Sequence, residues 1–147
     1  MQTNAETALD RIRSDLALLD DWEDRYRYII ELGRGLEALP EALRTDANKV
    51  RGCASQVWLA TRLRRPEPDA PPVFELLGDS DAHIVRGLVA VLFAVYQGKT
   101  PEEVLRTDAR TVFLELGLKE HLTPQRANGF ASMVERLLND ARSSVAG

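Results

Sequence analysis

From Ile84 to Tyr96 the chain offers almost no polar side. Ile84, Val85, Leu88, Val89, Val91, Leu92, Phe93 and Val95 are apolar nearly all the way round a helical wheel. A helix without a polar face has to be covered on every side. This segment therefore predicts a central buried helix, and the rest of the chain has to supply its cover. Arg86 interrupts the run, which also falls short of the roughly 20 residues a bilayer needs, so no segment is expected to cross a membrane. With 147 residues, 44% of them hydrophobic and 29% charged, residues 1–147 suit one domain with a core that needs no staples.

The cover is read from periodicity. Thr3-x-x-Glu6 forms a capping box, followed by Ala5, Ala8, Leu9, Ile12, Leu16 and Leu19 at helical spacing. A second helix is predicted from Asp20 or Asp21 to Glu31 or Leu32, with Trp22, Tyr26, Ile29 and Ile30 on one face and Gly33 as a left-handed cap. Leu39-Pro40-Glu41 opens a short turn, with proline at its first helical position. Gln56–Leu63 and Val73–Leu77 are rich in β-branched, aromatic and aliphatic residues and read as strands. The connection between them, Arg65–Pro72, holds four of the seven prolines and suits an exposed loop joining antiparallel strands.

After the apolar helix, which starts at Asp81 and ends near Gly98, Thr100-Pro101-Glu102-Glu103 places a cap, a proline and a capping glutamate in register. Val112, Phe113 and Leu116 precede Gly117. A last helix starts at Thr123-Pro124 and carries Phe130, Met133, Val134, Leu137 and Leu138. Asn128-Gly129 resembles a hairpin turn, but the flanking period is helical and the helix is kept. Helices, a small sheet, then helices again make an α+β plan.

Charge and termini narrow the function. The 19 Lys and Arg against 23 Asp and Glu give a net charge of −4, the wrong sign for a surface that tracks phosphates. The cluster Arg62-Leu63-Arg64-Arg65 lacks interleaved aromatic residues and reads as a solvated strand end. The first residues have no basic region and no apolar run, so a signal peptide is not expected; with an unpaired thiol, the expected compartment is the cytoplasm.

Several motifs fall short of the chemistry they suggest. Gly98-Lys99-Thr100 ends like a phosphate-binding loop, yet the position that needs the first glycine is Phe93. Asp79-Ser80-Asp81-Ala82-His83 alternates possible metal ligands, but the calcium-loop glycine position is Ile84 and the bidentate glutamate position is Ala90. These acids are expected to cap the apolar helix, with His83 facing solvent. His121 reads as a loop histidine with a local hydrogen bond, although a pairing with a cysteine would activate a thiol.

Cys53 is the only cysteine, so it forms no internal disulfide and no multi-thiolate zinc site. It is either an inert buried thiol or a single reactive sulfur. Gly52 permits a tight turn that presents the next side chain, and Lys49 and Arg51 place positive charge that favours thiolate. The position just before a strand suggests a loop tip. These features favour the reactive sulfur.

The segment Asn48-x-Val50-x-Gly52-Cys53-x-Ser55-Gln56-Val57-Trp58 resembles the signature of SufE-like (SufE/CsdE) sulfur acceptor proteins. Further matches follow in order: Tyr26-x-Tyr28-Ile29-Ile30-Glu31-Leu32-Gly33 and Leu39-Pro40; Gly78-Asp79-Ser80-Asp81-Ala82, Ile84-Val85-Arg86-Gly87-Leu88 and Gly98-Lys99-Thr100-Pro101; then Leu116-Gly117-Leu118, His121-Leu122-Thr123-Pro124-x-Arg126 and Asn128-Gly129. One position departs: the family usually has glutamine after the cysteine, and here it is Ala54.

The resemblance implies a small antiparallel sheet of about three strands packed by N- and C-terminal helices, like that of cluster scaffold proteins of the IscU type. It implies that Cys53 takes persulfide sulfur from a pyridoxal-phosphate cysteine desulfurase (SufS/CsdA-like), which it also stimulates. The sulfur would then pass to an iron–sulfur scaffold complex (SufBCD-like). The chain would need no cofactor of its own, since pyridoxal phosphate belongs to the partner, and would carry out a half-reaction rather than act as a free-standing enzyme. The cysteine loop would shelter its thiol against apolar surface, limiting over-oxidation. Arg51, Gly52, Ser55 and Gln56 fall in or beside the signature and Arg126 matches a basic family position; all five are expected to support the loop or meet the partner. Two alternatives remain at this stage: a regulator that binds the desulfurase without accepting sulfur, and a thiol redox sensor.

Overall fold

The computed structural model describes residues 7–146. Thr3 and Glu6, the expected capping pair, lie outside that range. The first helix, α1 (Ala8–Ala17), is capped by Thr7 instead. The Thr7 hydroxyl accepts from the Asp10 amide, and the Asp10 carboxylate accepts from the Thr7 amide. Ile12 and Leu16 point inward from it and are buried.

Helix α2 (Trp22–Arg34) runs two or three residues past the expected end. Gly33 is not a left-handed cap but a buried helical residue, and its use is close approach. Together with Gly87 it marks where α2 meets the central helix α3 (His83–Tyr96). A Cβ at Gly33 would lie 2.7 Å from the Gly87 amide nitrogen, and one at Gly87 would lie 2.1 Å from the Ile29 carbonyl oxygen. The backbones touch, and only residues without a Cβ permit that.

Helix α3 is buried on nearly all sides as its composition requires: Leu88, Val89, Val91, Leu92, Val95 and Tyr96 are at most 1% exposed. The expected turn after Leu39 is a single 3-10 turn, Glu41–Leu43, which Pro40 precedes as its cap.

Strands β1 (Val57–Arg64) and β2 (Val73–Ser80) pair antiparallel, with Val57 opposite Ser80 and Arg64 opposite Val73. Gln56 lies just outside β1, and β2 runs three residues beyond its expected end. The sheet has two strands rather than about three. What remains of a third is one bridge, Lys49 to Trp58, flanked by Val50 N–H to Val57 O at 2.8 Å and Leu59 N–H to Asn48 O at 2.8 Å. The other edge is closed by the chain after α3. The Phe74 amide donates to Lys99 O at 2.8 Å, and the Gln97 side chain accepts from the Leu76 amide at 2.8 Å. Arg62, Leu63, Arg64 and Arg65 are exposed, the solvated strand end expected of them, and Arg62 pairs with Glu75 across the strands.

Helix α4 (Pro101–Leu105) carries the expected capping box between Thr100 and Glu103. Helix α5 (Ala109–Glu115) is capped by Asp108, and Gly117, at φ 73°, turns the chain into a second 3-10 segment, Leu118–His121. Helix α6 (Pro124–Ala146) passes through Asn128-Gly129 without a break. The result is an α+β fold with a two-stranded antiparallel sheet, in which α2 and β2, with smaller contributions from α1, α5 and α6, supply the cover that α3 requires. No helix among the described residues is long and apolar enough to cross a membrane.

Candidate functional site

The bond from Val50 N–H to Val57 O closes residues 51–56 into a loop at the root of β1. Gly52 sits at φ +91°, a backbone region that L side chains rarely adopt, and a Cβ there would come 2.6 Å from Ser132 Oγ. This turn, which only glycine takes without strain, lays the next residue against α6. Cys53 is half-buried, and its Sγ–H donates to the Gly129 carbonyl at 3.6 Å. Gly129 is in turn buried under the cysteine: a Cβ at that position would stand 3.2 Å from Sγ.

The thiol faces a pocket of about 520 Å³. Ile84, Val85 and Leu88 of α3 and Met133 of α6 form apolar walls, and Arg126 adds a charge. Burial pushes the Cys53 thiol above its ordinary pKa. This overturns the expectation that Lys49 and Arg51 favour the thiolate. Arg51 is exposed, and desolvation is the one cause that acts on the sulfur. The side chain is turned inward rather than presented at an open loop tip.

The remaining residues singled out in the sequence divide into two groups. Ser55 and Ala54 line the pocket beside Cys53, and Ala54 is exposed. Gln56 does not face the pocket. Its backbone amide donates to Asp81 Oδ1 at 3.0 Å, its side-chain amide donates to Asp81 Oδ2 at 3.4 Å, and its carbonyl accepts from the Asp81 amide at 3.2 Å. Asp81 is thus a latch on the end of the loop and not the helix cap expected of it. Ala82 occupies the cap position, and its amide donates to Ser80 Oγ at 3.2 Å. Asp79 is withdrawn from capping too, because it is buried between Arg44 and Arg86. His83 opens α3 and is exposed.

Arg126 lies where the pocket meets the N-terminal helices. Its guanidinium carbon is 6.0 Å from the Tyr26 ring centre, and Nη1 donates to the His121 carbonyl at 3.4 Å. His121 itself is not a loop residue with a local hydrogen bond. It is fully buried, with the Trp22 ring 5.3 Å and the Tyr26 ring 6.1 Å away, and neither ring nitrogen has a partner among the described residues. Burial, and then the nearby Arg25 charge, lower its pKa. It is absent from the pocket wall, so no cysteine–histidine pair is assembled.

Four residues of this site are given no role in it by the sequence: Ser132 and Met133, which lie outside the family matches, and Gly129 and Asp81, which lie within them. In the sequence, Gly129 reads as a discounted turn signal, Met133 as a core residue and Asp81 as a cap. Their role arises only where α6 and the β2–α3 connection meet the loop.

Comparison with known proteins adds an independent line. The family model of SufE, described as an Fe-S metabolism associated domain, matches residues 10–141. An uncharacterized SufE-like protein of Rhizobium meliloti is 54% identical over 139 residues, covering 95% of this chain and 98% of the relative. A second, from Rhizobium etli, is 52% identical and covers 95% and 93% respectively. Among solved structures, the solution structure of a hypothetical protein from Thermus thermophilus superposes with a TM-score of 0.72 at 20% identity, over 95% of this chain and 96% of the other. At that identity the likeness speaks for the fold alone.

Proposed function

We propose that this chain, which belongs to the SufE family of Fe-S metabolism associated domains, carries sulfur on the Sγ of Cys53. Membership in the family implies a role in sulfur transfer. The observation that carries the finer reading is the seat of the only thiol: half-buried, bonded to Gly129 O, and facing an apolar pocket bordered by Arg126.

The donor is a cysteine desulfurase bearing a persulfide on its own cysteine. The Cys53 thiolate attacks the outer sulfur of that persulfide. A bond forms between Cys53 Sγ and the outer sulfur as the donor's sulfur–sulfur bond breaks, and its electron pair leaves on the donor's thiolate. No oxidant or metal is consumed. The Cys53 persulfide then delivers its sulfur to an iron–sulfur scaffold in the cytoplasm, and removal of the donor's persulfide stimulates the desulfurase. With no second cysteine in the chain, the persulfide cannot discharge into an internal disulfide.

The raised thiol pKa supports this reading over that of a redox sensor. At neutral pH the resting protein holds little thiolate, and peroxide reacts with thiolate. Docking of a donor that draws the sulfur out of its apolar seat restores reactivity where it is needed. Incubation with its desulfurase and cysteine should add one sulfur atom, about 32 Da, to Cys53 by intact mass. A wild-type protein that stays unmodified beside an active desulfurase would overturn the proposal. Cys53→Ser should lose both adduct and stimulation; a variant that still stimulates would instead make the chain a regulator that works by contact alone.

A further inference from the structure

One face of α6 carries Gly129, Ser132, Arg136 and Asp140, spaced by three or four residues and so stacked along the helix. Gly129, Ser132 and Arg136 meet successive parts of one stretch of chain, and Asp140 meets the strand beyond it. Gly129 O accepts from Cys53 Sγ, and Ser132 Oγ lies against Gly52. One step further, Arg136 reaches the stem of the loop: Nη1 donates to Ala47 O at 3.2 Å and Nη2 to Asn48 Oδ1 at 3.2 Å. Asp140 orients the guanidinium by accepting from Nε at 3.2 Å, and also accepts from Thr61 Oγ1 of β1 at 2.8 Å. Asn48 passes the restraint on, since its carbonyl accepts from the Leu59 amide at 2.8 Å and its side chain donates to Leu43 O at 2.9 Å.

We infer that Arg136 is a positioning residue for the thiol: its guanidinium ties the stem at Ala47 and Asn48 to α6 and β1, which keeps Gly52 and Cys53 seated on Ser132 and Gly129. The geometry suits arginine in particular. Acceptors on three residues, the adjacent Ala47 and Asn48 of the stem and Asp140 of α6 itself, are met by one planar fork, and the Arg136 and Asp140 side chains are only 24% and 26% exposed. The bonds to Asp140 and Asn48 are partly buried and that to Ala47 is exposed, and the sheltered charge-assisted bonds are stronger than surface pairs. A lysine would keep the charge but could not reach all three acceptors in one geometry. The inference rests on Cys53 being the working group of the proposed sulfur transfer. The charged groups near the thiol and its loop include Arg126 of α6, Arg51 of the loop, Lys49 of the stem and Asp81, which holds Gln56.

The test uses the full-length protein without any desulfurase, so that it is independent of the sulfur-carrier reading. Iodoacetamide alkylation of Cys53 is followed between about pH 6 and pH 10 for wild type, Arg136→Gln and Arg136→Lys, beside guanidinium unfolding of each. Release of the stem lets the thiol leave its seat. The alkylation midpoint is expected to fall by about one pH unit, and the rate at pH 7 to rise about tenfold, in both variants. Wild-type rates and midpoint in both variants, whatever their unfolding midpoints, overturn the inference and leave Arg136 a purely structural residue. If Arg136→Gln does not fold, Arg136→Lys and Thr61→Val, which frees Asp140 from β1, decide in its place. A wild-type protein that takes no sulfur from a desulfurase would remove the proposed function and leave this measurement standing.

Discussion

Gly129→Ala should separate the reactivity of the thiol from the stability of the fold. The three nearest heavy atoms to a Cβ at position 129 all belong to Cys53: Sγ at 3.2 Å, and Cα and Cβ at 3.5 Å each. The added methyl group therefore presses on the loop and not on the core. Gly129 lies inside α6 and is not among the glycines with positive φ, so alanine is favoured there by about 1 kcal/mol on helix propensity. Against this stands overpacking, which costs about 1–3 kcal/mol where the surroundings cannot yield. Here they can yield. Cys53 is half-buried and held on α6 by one sulfur–carbonyl contact of 3.6 Å, and a separation of 3.2 Å asks the sulfur to move by only a few tenths of an ångström. The two effects nearly offset, and the unfolding free energy should stay within about 1 kcal/mol of wild type. The displaced thiol loses part of the burial that holds its pKa up, so alkylation at pH 7 should rise about three- to tenfold. Guanidinium unfolding and iodoacetamide kinetics on the same preparation check both halves. A loss of about 3 kcal/mol or more with unchanged alkylation would mean that the core, not the loop, requires the glycine, and the seat described for Cys53 would be wrong.

Gly87→Ala is the contrasting case: its Cβ would stand 2.1 Å from the Ile29 backbone oxygen, so α2 and α3 must separate, and denaturant unfolding should show a loss of about 3 kcal/mol or more. The Cys53 pKa is raised in the folded state, so its contribution to stability is complete below the unfolded thiol value of about 8.5 and is lost as pH rises through the folded value. Unfolding free energy measured from about pH 7 to pH 10 should therefore fall more steeply in wild type than in Cys53→Ser, and parallel curves would contradict the burial described. His121 has a lowered folded pKa, so its contribution is present above the unfolded value of about 6.5 and is lost as pH falls through the folded one. His121→Phe keeps a ring against Trp22 and Tyr26 and removes two buried nitrogens without partners among the described residues. Thermal unfolding across mildly acidic pH should show a weaker decline for this variant, and an equal decline would place the acid sensitivity elsewhere.

Much of the fold is visible in the chain because its signals are local. The burial of α3 follows from a wheel without a polar side, and the capping box at Thr100 and Glu103 from residues three apart. The strand pair follows from two apolar runs around a proline-rich connection. The misreadings share one cause. Gly33 looks like a helix end because glycine commonly ends helices, but here it allows two backbones to touch. Asp81 looks like a cap because it precedes a helix, but the loop it latches lies 25 residues earlier in the chain. His121 lies just before the last helix and looks like a loop residue, yet two aromatic rings from α2 cover it. The third strand is reduced to a bridge because the chain after Val50 turns into the cysteine loop instead of continuing along β1.

The sequence by itself determined that this protein has one sulfur atom available for thiol chemistry, that a glycine precedes it, and that the surrounding motif resembles that of SufE-like proteins. It also determined the buried helix around which everything packs. Tertiary structure alone decided the state of that sulfur. Cationic neighbours along the chain suggest a ready thiolate, whereas the folded thiol is seated on α6 and faces the side chains of α3, where desolvation holds the proton on. Neighbours in sequence can contribute only what their side chains reach, and Arg51 reaches solvent. Burial is a property of everything that closes around a group, and here the closing residues lie 31 to 80 positions further along the chain, from Ile84 to Met133.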